Sequence, residues 1–250
     1  MALIKGTNNN DTISPIGPKG FLSTPNADTI FGYDGNDSID GGDGSDFIYG
    51  GNGNDKIWGG KGNDTLYGDA GVDQIFGGDG DDSIYSDGDG GAYYGDGGND
   101  LMYSGMGLES MNGGSGSDTI DHTIFNGDYV FDMATGSTNF AGESYVNFEN
   151  VYMGNGNDLV NGNNSPNKII GGGGNDKIHG WGGDDILYGG SGVDQLIGGD
   201  GVDRIYSDGD GGVYLGGNGD DYMYSSLGLG LEIMDGEMGF DSIDLTGYSG

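Results

Sequence analysis

The chain has 250 residues, 61 glycines, 4 prolines and no cysteine, and its 41 acidic against 7 basic residues give a formal net charge of −34. That charge repels nucleic acid and anionic membranes, and the lack of cysteine excludes disulfide staples and thiolate metal sites. Glycine does not recur at every third position and proline is scarce, so a collagen helix is excluded. No apolar run approaches a transmembrane length, and the opening MALIKGTNNNDTI lacks a secretory apolar core.

In chain order, residues 1–27 read as an N-terminal cap with a partial first repeat. Pro15, Pro18 and Pro25 mark the stretch that covers the first end of an array. A nine-residue register then begins, GGxGxDxUx, with U a large apolar residue. Its aspartate returns as Asp28, Asp37, Asp46, Asp55, Asp64, Asp73, Asp82, Asp100 and Asp118, with Gly91 and Glu109 at the two gaps. The U residue keeps step as Ile30, Ile39, Ile48, Ile57, Leu66, Ile75, Ile84, Tyr93, Met102, Met111 and Ile120. Residues 28–121 thus form a first array. Residues 122–152 leave the register; DYVFDM and SYVNFENVY alternate as strands do and read as a spacer that covers an open sheet end. Residues 153–250 carry a second array with Asp158, Asn167, Asp176, Asp185, Asp194, Asp203, Gly212 and Asp221, then a two-residue insertion, Glu232 and Asp241. The last residues, DLTGYSG, match the start of the spacer, so the chain reads as a piece of a longer array.

A repeat sustained over most of a chain outranks any single motif. This one resembles the repeats-in-toxin (RTX) family of hemolysin-type, calcium-binding nonapeptide repeats. The resemblance implies an all-β fold: a parallel β-roll, here two rolls in series. Each nonapeptide is half a coil, a glycine-rich turn followed by a short strand. With a side-chain period of two, only U faces inward. Turns on one flank recur every eighteen residues and stack about 4.8 Å apart. In the family each calcium ion sits between such turns. The resemblance therefore makes Asp28, Asp37, Asp46, Asp55, Asp64, Asp73, Asp82, Asp100, Asp118, Asp158, Asp176, Asp185, Asp194, Asp203, Asp221 and Asp241 the metal residues. Counting intact same-flank pairs gives roughly twelve ions, each with about six to eight oxygen ligands.

Electrostatics supports a cation. Two carboxylates ~5 Å apart repel by roughly 3 kcal/mol at an effective dielectric near 20. About ten such pairs outweigh the ~5–15 kcal/mol stability of a domain. Magnesium fits less well, because it prefers a strict octahedron and keeps its waters.

The breaks in the register are duplicated. IYSDGDGGAYYG at 84–95 returns as IYSDGDGGVYLG at 205–216. Two readings stay open: drift within a duplicated unit, or a modified site in which Asp87 and Asp89, like Asp208 and Asp210, hold a cation differently or present it to a ligand.

Aromatics follow U as Phe31, Tyr49, Tyr67, Tyr85 and Tyr103, then Tyr188, Tyr206 and Tyr224, with Trp58, Phe76 and Tyr94 on the opposite sheet. They read as cross-strand packing, with sugar stacking as the alternative. His122 and His179 are isolated, Arg204 is the only arginine and no row of threonines recurs. These features argue against a histidine site, a basic sugar-acid site and an ice-binding face. No catalytic constellation is found. The expected function is that of a non-catalytic module that folds on calcium outside the cell. By resemblance it is exported by type I secretion as part of a larger bacterial protein. The alternative is an accessory, carbohydrate-gripping module of a secreted enzyme. Expected partners are calcium and either polysaccharide or further copies of the chain, with no nucleic acid and no membrane insertion.

Overall fold

The computed structural model describes residues 3–9, 11–14, 26–226, 228 and 230–245. The proline-rich stretch 15–25 and the closing residues 246–250 lie outside the described residues, and with them part of the expected N-terminal cap and most of the DLTGYSG match. Every regular element among the described residues is a β-strand, and none is a helix. The chain divides into two compact units, residues 1–121 with 140–148, and residues 122–139 with 149–250.

In the first unit, one sheet runs Leu3–Lys5, Thr29–Asp34, Phe47–Asn52, Thr65–Ala70, Ser83–Tyr85, Leu101–Tyr103, Thr119–Asp121. The facing sheet runs Thr12–Ile13, Ser38–Asp43, Lys56–Lys61, Asp73–Asp79, Gly91–Gly97, Glu109–Asn112, Ser144–Val146. Neighbours are parallel, and sequence-consecutive repeats alternate between the sheets. The strand after next is therefore the neighbour: Ile48 pairs with Leu66 and Ile57 with Ile75, eighteen residues on. This is the parallel β-solenoid that the nonapeptide register implies.

The second unit repeats the arrangement. One sheet contains Asn150–Tyr152, Lys168–Gly173, Ile186–Ser191, Arg204–Ser207, Tyr222–Ser225 and Ser242–Asp244. The other contains Val130–Asp132, Leu159–Asn161, Lys177–Gly182, Asp194–Asp200, Gly212–Asn218 and Glu232–Met238. Ser137–Thr138 pairs antiparallel at the Val130–Asp132 edge.

The core is one residue deep on each sheet. Ile30, Ile48, Leu66, Ile84, Met102 and Ile120 face Ile39, Ile57, Ile75, Tyr93 and Met111, and all of these are fully buried. The strands are longer than the three residues expected after each aspartate. Pairing skips Gly50, resumes with Gly51 opposite Asp69 and continues to Asn52 opposite Ala70. The second glycine makes this corner possible: Gly51 and Gly60 sit at φ 109° and 111°, where a side chain is strained.

Candidate metal centre

The register aspartates are the chief buried charges of the fold. Asp46, Asp73, Asp118, Asp176, Asp185, Asp194, Asp203 and Asp221 have no exposed surface, and Asp28, Asp37, Asp55, Asp64, Asp82, Asp100 and Asp158 almost none. Asp241 is half-buried. A carboxylate is placed in such a position only with partners, and the structure supplies half of them.

Each aspartate leans along the stack toward the turn before it. The Asp28 N–H donates to Asp46 Oδ1 at 2.7 Å, and the same bond links Asp46 to Asp64, Asp64 to Asp82, Asp82 to Asp100 and Asp100 to Asp118. On the other flank Asp37 donates to Asp55 and Asp55 to Asp73. In the second unit the rows are Asp158 to Asp176 to Asp194, and Asn167 to Asp185 to Asp203 to Asp221 to Asp241. One oxygen of each carboxylate is thereby satisfied.

The other oxygen is not. Oδ2 of Asp37, Asp46, Asp55, Asp64, Asp73, Asp82, Asp100, Asp176, Asp185, Asp194, Asp203 and Asp221 is buried with no hydrogen-bond partner among the described residues. It lies against a glycine five residues earlier. A methyl group built on Gly59 would collide with Asp64 Oδ2 and with the Gly77 carbonyl oxygen of the next turn. Gly50, Gly77, Gly171 and Gly198 make the same cradle for Asp55, Asp82, Asp176 and Asp203. A carboxylate oxygen and a carbonyl oxygen from adjacent turns thus converge on a space that only glycine leaves open.

Burial raises these carboxyls far above their ordinary range, although the neighbouring aspartate N–H pulls the other way. Asp46 and Asp55 are pushed up to about 6, Asp64 and Asp73 to about 7, and Asp82 and Asp185 to about 8. No cation of the described residues pairs with these carboxylates. The ion pair of Lys61 with Asp43, at 4.0 Å, is exposed and involves none of the register aspartates. Among the described residues no three His, Cys, Asp or Glu side chains gather into a metal-holding group. A cation in these turns would therefore draw on carboxylate oxygens from stacked turns plus main-chain carbonyls. That donor set is all hard oxygen, as calcium prefers.

A model of the RTX calcium-binding nonapeptide repeat matches residues 23–57, 49–84, 58–92, 87–120, 152–187 and 182–213, well over half of the chain. The chain belongs to the RTX calcium-binding nonapeptide repeat family. Among solved structures, this RTX chain is similar to a hyperactive, Ca2+-dependent, β-helical antifreeze protein from an Antarctic bacterium. That match has 19% identity, covers 97% of this chain and 86% of the other, and has a TM-score of 0.38. No curated protein matches it.

Two features of the RTX turns escaped the reading of the repeat. Asp11 also holds a register position: its N–H donates to Asp37 Oδ1 at 2.7 Å, and its Oδ2 accepts from Thr7 N and Oγ1. The signal was present, since Gly6, Asp11 and Ile13 have the spacing of Gly41, Asp46 and Ile48. The residue before several of the aspartates forms a second ladder. Asn36 Oδ1 accepts the Asn54 N–H, Asn54 Oδ1 the Val72 N–H, and Asn63 Oδ1 the Asp81 N–H. The recurring Gly-Asn-Asp triplet was its trace.

The aromatic residues stack face to face. Ring centroids lie 4.9 Å apart for Phe31 and Tyr49, 4.8 Å for Tyr49 and Tyr67, 4.5 Å for Tyr67 and Tyr85, and 4.3 Å for Tyr85 and Tyr103. Neighbouring rings cover each other's faces along the ladder, so a sugar meets mainly ring edges. His122 is fully buried among Phe125, Tyr129 and Phe131, and burial holds its pKa down to about 3. It is a neutral core residue.

Proposed function

We propose that the chain is a structural, non-catalytic module whose coils are held by calcium ions shared between stacked turns, and that it folds when it meets calcium outside the cell. The observation that carries this reading is the row of buried Oδ2 atoms without partners, each beside a glycine cradle. The residues that would hold the ions are the register aspartates from Asp28 to Asp118 and from Asp158 to Asp241, with glycine carbonyls beside them. Intact pairs suggest roughly twelve ions, the turns supplying oxygens at ~2.3–2.6 Å. The ion would supply the positive charge that the 7 basic residues cannot. Without it, repulsion and desolvation oppose the stack.

Membership of the family supports a location outside the cell. A chain that stays unfolded at low calcium can pass an export channel and fold beyond it. The carbohydrate-gripping alternative draws little support from rings whose faces are covered. Circular dichroism and hydrodynamic radius in chelator and in millimolar calcium test the proposal. Coil and an expanded radius should give way to strand and a compact one. Equal strand content in both conditions would refute calcium-coupled folding.

A further inference from the structure

The turns where the register breaks differ from the ordinary turns in three linked ways, and the same three changes occur in both units. The glycine that cradles an aspartate, Gly68 or Gly189, becomes Ser86 or Ser207 one coil later. The aspartate itself becomes Gly91 or Gly212, which pairs in register with Asp73 or Asp194. The aliphatic U residue becomes Tyr93 or Tyr214, fully buried. The next aspartate along the same row is Glu109 or Glu232.

These changes fill the cradle with protein. Gly91 lies at φ 143°, and a methyl group there would meet the Tyr93 hydroxyl at 2.8 Å; Gly212 stands in the same relation to Tyr214 at 2.7 Å. Each hydroxyl donates to the carbonyl just before that glycine, Tyr93 to Gly90 at 3.0 Å and Tyr214 to Gly211 at 2.9 Å. The Ser86 hydroxyl makes a short hydrogen bond to Glu109, whose carboxylate also accepts the Gly105 N–H at 3.1 and 3.2 Å. Ser207 makes the same short bond to Glu232, and the Ser225 hydroxyl adds a second at 2.5 Å. Glu109 is 1% exposed, yet it is absent from the buried oxygens that lack partners. Asp87 and Asp89 are exposed, and Asp87 Oδ1 accepts the Asp89 N–H; the Asp87 charge bears on Tyr93 and Glu109 through space, raising the pKa of both groups further after burial has done most of it.

We propose that these two turns close without a cation, and that Ser86, Tyr93 and Glu109, with Ser207, Tyr214 and Glu232, form protein-only locks in the place of calcium sites. The inference rests on the reading that the ordinary turns do hold calcium. The locks give each unit one coil whose closure is independent of ion concentration, set between coils that are not.

Crystals of the protein grown with calcium and then with strontium, examined by anomalous scattering, test this directly. Ions beside Asp64 and Asp185 with none at Glu109 or Glu232 would support the locks. An ion on either glutamate would overturn them and leave the calcium reading intact. No ion at any turn would overturn the calcium reading and the contrast that defines the locks. In solution, Glu109→Gln should leave the number of bound calcium ions unchanged while lowering the melting temperature in saturating calcium; loss of one bound ion would count against the lock. The combined variant Ser86→Gly, Gly91→Asp, Tyr93→Ile, which rebuilds an ordinary turn, should gain at least one ion. A folded variant with the wild-type count would overturn the proposal, and if the variant fails to fold, the anomalous map of the wild type decides.

Discussion

Asp64 Oδ1 accepts the Asp46 N–H at 2.7 Å, while Oδ2 of the same carboxylate ends buried beside Gly59 with no partner. Strictly, two such bonds chain three turns together: Asp46 donates to Asp64, and Asp64 donates to Asp82. Asparagine keeps one acceptor oxygen and replaces the other with an amide NH2, which only donates. Asn167 shows one such orientation in the chain itself: Oδ1 lies against Gly162 and accepts the Asn163 N–H of its own turn at 2.9 Å, and Nδ2 faces the turn before, donating to the Glu149 carbonyl at 3.0 Å.

Asp64→Asn should therefore leave a single acceptor oxygen, take away the charge and remove one ligand from the sites on either side. Asp73→Asn touches one ordinary site, because the next turn of its row holds Gly91. Ligand binding to the folded state stabilises it by roughly 2.7 kcal/mol at a hundredfold excess over Kd. The calcium midpoint of folding should rise in both variants, and the free-energy loss for Asp64→Asn should reach up to about twice that for Asp73→Asn. Equal midpoints would contradict the sharing of ions between turns.

Much of this architecture was legible because the repeat is short and strict. The interval from Ile48 to Leu66 states the strand pairing, and the interval from Asp46 to Asp64 states the hydrogen-bonded row. What lay hidden depends on how far one side chain reaches. At the break, Gly91 left drift and a modified site both open, and Tyr93 merely kept the place of U. Only the packing shows its hydroxyl in the space left by the missing side chain. Asp11 was missed because its row partner Asp37 is 26 residues away, where the repeat sets 18. The length of the strands was missed because the pattern places glycines where the ladder turns a corner and continues.

Tyr67 stands between Tyr49 and Tyr85 with nearly parallel rings, at 2° and 12°. Removing the ring loses two stacked contacts, each worth about 0.5–1 kcal/mol in a sheet. Tyr67→Ala should cost about 1–2 kcal/mol in denaturant unfolding at saturating calcium, and Tyr67→Phe under about 0.5 kcal/mol. Alginate-like oligosaccharides should leave tyrosine fluorescence unchanged. A saturable change abolished by Tyr67→Ala would revive the sugar-stacking reading.

Asp69 occupies the corner position of its turn at φ 60°, opposite Gly51 at φ 109°. A non-glycine residue in that region costs about 1–2 kcal/mol. Its carboxylate also adds like charge near Asp55 and Asp73. Asp69→Gly should remove both penalties, partly offset by the greater freedom of glycine in the unfolded chain. The net expectation is a gain of roughly 0.5–1 kcal/mol and a lower calcium midpoint. Destabilisation would show that Asp69 contributes an interaction of its own.

Acid should substitute for calcium. In the unfolded chain an aspartate titrates near about 3.9. In the folded, cation-free chain burial raises Asp46 to about 6, Asp64 to about 7 and Asp82 to about 8. Between these limits the folded state binds more protons than the unfolded one, so the stability of the cation-free fold falls as pH rises. The loss begins near pH 4, accumulates through pH 6 to 8 and levels off above the highest folded value. In chelator, strand signal should therefore grow as the pH is lowered from 8 to 5. In calcium the expectation differs. At pH 6 to 8 the unfolded chain is already ionised, and the calcium-loaded carboxylates are ionised too, so folding from one to the other exchanges few protons. The calcium midpoint should be nearly flat across that range and should shift only below about pH 5, where the unfolded carboxylates begin to protonate. Circular dichroism titrations at pH 5, 6, 7 and 8, with and without chelator, separate the two behaviours. A chelated chain equally unfolded at pH 5 and pH 8 would show that proton binding cannot replace the ion, and that something other than buried carboxylate charge keeps the stack apart.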